Sequence, residues 1–206
     1  MKRDRRFWWA SIAGFLLFAG FVLQIPVCKA VTQDNQTREK EPGGDSAKQP
    51  LTINVLKKAE YRSKWSAQGK IKLSDGIYRE QIVPGSGSEL VIKLSDKITF
   101  GDLNGDGLED AAVILVSDPG GSGTFYDLAA VINSGGKAKN VASVFLGDRV
   151  KIEGLSVRSG KIVVKMLSHR STDPICCPSL EVDENYGLQG DELVQQPHSK
   201  SLGGRR

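Results

Sequence analysis

The chain has 206 residues, which is enough for one domain of ordinary size with short appendages. With 39% hydrophobic, 25% charged and 7% aromatic residues, its composition excludes a disordered chain, a coiled coil and a membrane protein with several spans. The formal net charge is +4, and residues 1–30 account for it with five Lys or Arg and one Asp. The rest of the chain is therefore neutral, and net charge gives no support to a nucleic-acid partner.

Residues 1–30 carry the parts of an export signal. Basic residues precede an apolar run over residues 7–23, and Cys28-Lys29-Ala30 has the small-x-small pattern of a cleavage site. We therefore expect a cleaved signal peptide. An uncleaved anchor helix is the main alternative, because the apolar run spans about 25 Å of a hydrocarbon core about 30 Å thick. A lipoprotein attached through Cys28 is a third.

All three versions predict that the rest of the chain is exported, to the periplasm or the extracellular space, and meets the membrane only through its N-terminal segment. Residues 31–50 are polar and contain Pro and Gly, which is typical of a flexible linker. Residues 51–196 are the predicted exported domain. Residues 197–206 are predicted to be a disordered tail.

The domain is predicted to be rich in β-structure, because hydrophobic residues recur with a period of two between regular turn signals. The predicted strands cover residues 70–73, 77–80, 89–94, 111–116, 125–132, 141–146, 150–157, 161–167, 186–188 and 192–194. The continuous apolar runs at 111–116 and 125–132 are typical of central strands that are covered on both faces. The turn sequence Asp75-Gly76 predicts a hairpin between the first two strands.

Residues 52–61 are the one helical candidate, with Thr52 as its cap, although an extended segment is nearly as well supported there. Together these elements predict a mainly β fold behind the N-terminal signal or anchor helix. The expected architecture is an antiparallel meander that forms a sandwich or a partly open barrel, with at most one short helix.

The clearest motif is the run of residues 102–110, which reads D-x-N-x-D-G-x-x-D. Oxygen atoms at alternate residues of a tight loop converge on one point, and Ca²⁺ takes about six to eight oxygen ligands. Gly107 permits the sharp bend that such a loop needs. The predicted ligands of a structural Ca²⁺ are the side chains of Asp102, Asn104, Asp106 and Asp110 and the carbonyl oxygen of Leu108. A plain turn without a metal is the alternative.

This run resembles the calcium loops of FG-GAP-type and VCBS-type repeats, which lead directly into a strand. An EF-hand would carry Glu at its twelfth position, where this chain has Val113, and would continue into a helix. The resemblance covers about residues 100–115. Such repeats build propellers in several copies, and the sequence shows one copy, so a propeller is not expected.

Two further segments attract attention. Residues 118–124 are rich in glycine and could form an anion nest, but the favoured interpretation is a hairpin connection without a ligand.

Cys176 and Cys177 are adjacent, and a disulfide between them requires strain, since neighbouring Cα atoms lie about 3.8 Å apart and disulfides usually need about 4.4–6.8 Å. The alternatives are free thiols, an intermolecular bridge, or a zinc site that includes His169.

Several of these motifs together resemble those of a family of uncharacterised exported bacterial proteins. They lie in residues 100–110, 120–126, 147–150 and 173–178. The resemblance covers roughly residues 50–196. It implies an exported domain and no particular reaction.

Three functions follow as expectations. The favoured one is a non-enzymatic, calcium-stabilised β-domain that binds an unknown envelope component or a small ligand. One alternative is an envelope hydrolase with carboxylates such as Asp118, Asp127 or Asp148, held about 5–9 Å apart. The other is a redox response of Cys176 and Cys177. No catalytic residue and no cofactor besides Ca²⁺ is predicted.

Overall fold

A computed structural model of the protein describes residues 49–197, in which it forms eleven strands and one short helix. The predicted export signal, the linker up to residue 48 and the tail from residue 198 lie outside the described residues. Of the described residues, 58% are in strands and 3% in the helix. Among these described residues, the one helix lacks the length and the apolar character needed to cross a bilayer.

In chain order the elements are α1 (Ile53–Leu56), β1 (Glu60–Arg62), β2 (Lys70–Lys72), β3 (Ile77–Gln81), β4 (Glu89–Gly101), β5 (Asp110–Asp118), β6 (Phe125–Ser134), β7 (Lys137–Asp148), β8 (Lys151–Arg158), β9 (Lys161–Ser168), β10 (Leu180–Gln189) and β11 (Glu192–Gln196). The strands β3 to β7 form a five-stranded sheet, β8 to β11 form a four-stranded sheet, and β1 pairs with β2. Neighbouring strands are antiparallel, and one sheet curls into a half-barrel. The prediction of a mainly β fold of antiparallel strands is confirmed.

The central strands β5 and β6 are buried on both faces. On one face they pack in a first core cluster with α1 and the β1–β2 hairpin, and on the other they pack in a second core cluster with strands of the four-stranded sheet. Their buried residues in the first cluster are Ala111, Val113, Leu115, Ala129 and Val131. Those in the second cluster are Ala112, Ile114, Leu128 and Ala130. The two continuous apolar runs of the sequence are therefore central strands, as predicted.

The helix is shorter than the segment predicted for it. Its cap is Thr52, whose Oγ1 accepts a hydrogen bond from the amide of Val55 at 3.3 Å. Leu56 ends the helix and is fully buried. The remainder of the predicted helix, up to residue 61, is wrong because Glu60–Arg62 pairs with β2 as a strand.

The hairpin predicted between residues 70–73 and 77–80 does not form, although its turn does. Asp75 and Gly76 both have positive φ, +49° and +82°. Beyond the turn, β2 pairs with β1 whereas β3 pairs with β4. Ile71 is buried in the first core cluster, so β2 stays in the layer that covers the five-stranded sheet while β3 forms the edge of that sheet.

The hairpins at the C-terminal end are confirmed. Residues 150–157 and 161–167 correspond to β8 and β9, and residues 186–188 and 192–194 correspond to parts of β10 and β11. β10 begins at Leu180, earlier than predicted. Its first half was not recognised in the sequence, because hydrophobic residues alternate only weakly there and several residues are acidic.

The long strand β4 delivers the chain to the predicted metal loop. Its register against β5 shifts between Leu94 and Ile98, and such bulges bend a strand and increase its twist. The end of β4 thereby approaches β8. A Cβ on Gly101 would lie 2.7 Å from Cγ1 of Val157, so only glycine permits this close approach immediately before the loop.

Candidate functional site

The predicted metal loop connects β4 to β5, and residues 102–109 are called the Asp102 loop below. Gly101 and Asp110 pair across its base. Gly105 and Gly107 have φ of +83° and +80°, a left-handed conformation that glycine adopts without the steric cost of a side chain. These two glycines fold the loop tightly enough for its alternate side chains to meet.

Asp102 is the centre of the hydrogen bonding in this loop. Its Oδ1 accepts from the amides of Asn104 at 3.2 Å and Gly105 at 2.7 Å, and its Oδ2 accepts from the amide of Gly107 at 3.0 Å. Hydrogen bonds from the backbone, first that of Gly105, hold the pKa of the Asp102 carboxyl below its ordinary value. The carboxylate form is therefore the one that this loop stabilises.

Asn104 and Asp106 complete the polar rim of the loop. The side-chain amide of Asn104 donates to Oδ2 of Asp106 at 2.8 Å, and its Oδ1 accepts from the amide of Asp106 at 2.9 Å. Oδ1 of Asp106 in turn accepts from the amide of Leu108 at 2.8 Å. The loop thus brings the side chains of Asp102, Asn104 and Asp106 together at the surface.

Asp110 is placed differently, because its side chain is fully buried. Its Oδ2 accepts from the amide of Leu103 at 2.9 Å, and its Oδ1 accepts from the amide of Asn133 at 2.8 Å. Burial raises the pKa of the Asp110 carboxyl above its ordinary value, against the effect of these two bonds. Asp110 therefore ties the loop to β6 across the sheet.

The predicted ligand set is thus brought together only in part. Within residues 49–197, no group of three or more His, Cys, Asp or Glu side chains is arranged to hold a metal ion. Asn133, the partner of Asp110, was not identified from the sequence. Its one signal was a polar residue at the end of the apolar run in β6.

Residues 169–179 connect β9 to β10 and are called the cysteine loop below. Cys176 and Cys177 form a disulfide with each other. Of the alternatives that the sequence left open for these cysteines, the structure contains the bond between neighbours. The bond leaves no pair of thiolates for a zinc site with His169. A redox response of the pair stays a prediction.

An aspartate also organises the cysteine loop. The carboxylate of Asp173 accepts from the amides of Arg170 at 2.8 Å and Ser179 at 2.9 Å, and from the hydroxyl of Ser179 at 2.9 Å. These bonds, first that of the Arg170 amide, hold the pKa of Asp173 below its ordinary value. Ile175 is 70% exposed, so the loop presents an apolar side chain to the solvent.

The three carboxylates considered for a hydrolase lie in different surroundings. Asp118 caps the amide of Gly120 at 3.0 Å. Asp148 accepts from the amide of Thr124 at 2.9 Å and pairs with Arg149 at 2.6 Å. Asp127 lines a separate cavity. The hydrolase stays a prediction from the sequence.

The cavity beside Asp127 is bounded by residues from β1, β6, β7 and β11 and from the loop after β1, and it has a volume of about 490 Å³. Trp65 stacks on Phe125 beside it, with ring centroids 4.2 Å apart, and Phe125 lies 6.2 Å from Phe145. The indole N–H of Trp65 donates to Oδ2 of Asp127 at 3.2 Å. We call this space the Phe145 cavity. No pattern in the sequence indicates this cavity, because its residues are distant along the chain.

Comparison of the chain with family models, with curated proteins and with solved structures found no match.

Proposed function

We propose that this protein is an exported, calcium-stabilised β-domain that binds an envelope component or a small ligand. The export rests on residues 1–30, and the finer architecture proposed is a sandwich of the two larger sheets. The second core cluster, in which residues of both sheets pack together, supports that arrangement.

The calcium part of the proposal is carried by the Asp102 loop. Its Asp102, Asn104 and Asp106 oxygens share one exposed turn. A carboxylate oxygen that accepts one amide hydrogen bond retains a second lone pair for a cation. The carbonyl of Leu108 and the carboxylate of Asp110 are the further donors proposed.

A structural role for the ion follows from where the loop is attached. Leu103, inside the loop, is 6% exposed and belongs to the second core cluster. Two neighbouring carboxylates repel each other when no cation is bound. Bound Ca²⁺ would remove this repulsion and so stabilise a loop that is already part of the core.

Thermal unfolding of the purified full-length chain tests this proposal. With free Ca²⁺ at about 100 times its Kd, the native state gains about 2.7 kcal/mol. For a domain of this size, such a gain raises Tm by about 5–11 °C, and excess chelator reverses it.

Two matched variants locate the effect. Asp106→Asn should remove most of the calcium-dependent shift. Asp75→Asn makes the same substitution in an exposed turn of the same domain, and it should leave the shift unchanged. A Tm that does not respond to Ca²⁺ or to chelator would overturn the calcium proposal.

A further inference from the structure

The Phe145 cavity already holds a cation of the protein itself. The ammonium group of Lys64 lies 3.4 Å from the centroid of the Phe145 ring and 4.9 Å from the Trp65 ring. Aromatic faces attract ammonium groups through their quadrupole at distances up to about 6 Å. Phe145 is 43% exposed, so the ring that carries this contact is also accessible from the solvent.

A carboxylate lies beside these rings. Asp127 lines the cavity, and burial raises the pKa of its carboxyl, while the Trp65 hydrogen bond and the charge of Lys64 act in the opposite direction. One Oδ of Asp127 accepts the indole N–H, which leaves further lone pairs for an ammonium donor. The Asp127 carboxylate is thus a partly buried hydrogen-bond acceptor that lies beside the aromatic faces of Trp65 and Phe145.

The remaining charges of the cavity favour a cation. Arg62 donates to the Asp191 carboxylate at 3.1 Å, so these two charges compensate each other. Glu192 also lines the cavity. When the Lys64 side chain turns outward, the carboxylates of Asp127 and Glu192 remain in the lining. Arg62, the other basic residue that lines the cavity, is already paired with Asp191.

The position of Trp65 is fixed independently of any ligand. Its ring stacks on Phe125, and Phe125 lies against the backbone of Gly123, where a Cβ would be only 2.3 Å from Cζ of Phe125. A rigid aromatic wall loses little conformational entropy when a ligand binds. Lys64, by contrast, is exposed and its long side chain is free to leave.

We propose that the Phe145 cavity binds a primary alkylammonium group, in the place that the Lys64 ammonium group occupies in the absence of ligand. Phe145 and Trp65 supply the aromatic faces and Asp127 the acceptor. Lys64 acts as a competing internal occupant. This inference names a ligand class for the proposed binding function and rests on that function, but it does not depend on calcium.

The test is a titration of the ¹⁵N-labelled full-length chain with n-butylammonium, followed by NMR. The reporter is the indole N–H resonance of Trp65, assigned with Trp65→Phe. Lys64→Ala should bind the probe about 2- to 30-fold more tightly than the parent, which is the range to which a cation–π contact corresponds. Phe145→Ala and Asp127→Asn should each weaken binding by a similar factor.

Controls separate this outcome from simpler ones. Lys161→Ala removes an exposed lysine on the β8–β9 hairpin and should leave the affinity unchanged. n-Butanol has the same chain without the charge and should produce no comparable shift. Nα-acetyllysine methylamide and phosphoethanolamine then distinguish a peptide side chain from a lipid head group as the source of the ammonium.

Three results would overturn the inference. The first is that n-butylammonium binds neither to the parent nor to Lys64→Ala. The second is that n-butanol binds as tightly as n-butylammonium. The third is that the Trp65 resonance responds to methyl glucoside and not to the amine. Unchanged affinity in Lys64→Ala would remove Lys64 as the internal occupant. A failed titration beside a normal calcium-dependent rise in Tm would reject the ligand class and leave the calcium proposal standing.

Discussion

The Asp102 loop and the cysteine loop are each organised by one aspartate, but they are attached to the protein in different ways. The first is bound to the core through buried Asp110 and through Leu103. The second is held by Asp173 and a disulfide between neighbours in the chain, and its Ile175 is exposed. Similar aspartate-centred turns can therefore contribute either to the stability of the whole domain or only to the order of one loop.

The largest difference is expected for Asp110→Ala. The change leaves the amides of Leu103 and Asn133 without an acceptor, and each unsatisfied buried group costs about 1–3 kcal/mol. We expect the free energy of unfolding, measured with denaturant, to fall by about 2–6 kcal/mol. Asp118→Ala, at the exposed end of the same strand, should change it by less than about 0.5 kcal/mol. Equal losses in the two variants would contradict the proposed link to the core.

A matched pair of apolar truncations gives the next largest difference. Leu103→Ala should cost about 2–5 kcal/mol because it empties a buried position. Ile175→Ala should stay within about 0.5 kcal/mol, since exposed substitutions rarely do more. The same denaturant unfolding measures both. A loss of 2 kcal/mol or more in Ile175→Ala would show that the cysteine loop is packed against the domain.

The smallest effect is a difference in pH response. The pKa of Asp173 is lowered in the folded state, so its contribution to stability is present above its ordinary value of 3.8 and is lost as the pH falls through the lowered pKa. The pKa of Asp110 is raised, so its ionisation costs stability as the pH rises through that raised value.

NMR in calcium-free buffer measures this difference. The amide shifts of Arg170 and Ser179 should titrate with a midpoint below 3.8, and that of Leu103 with a midpoint above 3.8. Asp173→Asn should abolish the first transition and leave the second. A shared midpoint would remove the distinction between the two loops.

Much of the fold was predictable because its signals are local. Period-two alternation, continuous apolar runs and turn dipeptides located most strands, and the spacing of Asp102, Asn104 and Asp106 located the loop. The β2–β3 turn shows where local signals end. Asp75-Gly76 specifies a reversal of the chain, but burial of Ile71 in the first core cluster decides which strands pair.

The parts that the sequence did not predict depend on distant contacts. Asp110 and Asn133 are 23 positions apart and meet because β5 and β6 pair. The Phe145 cavity joins Trp65, Asp127 and Phe145 from separate elements. Contacts of this kind leave no periodicity or spacing in the sequence, because strand register and packing alone bring these residues together.

Arg62 shows how late in synthesis the domain can be completed. Its amide donates to Oδ1 of Asn140 at 2.8 Å, 78 positions onward, and its guanidinium pairs with Asp191, 129 positions onward. The strand pairings of the described residues, by contrast, all join consecutive strands and close short loops, which form quickly. The first core cluster, which buries Tyr61 and Ile71, has its last fully buried member at Val131. The N-terminal hairpin can therefore be covered before β8 to β11 have emerged, and only its exposed pair with Asp191 waits for almost the whole domain.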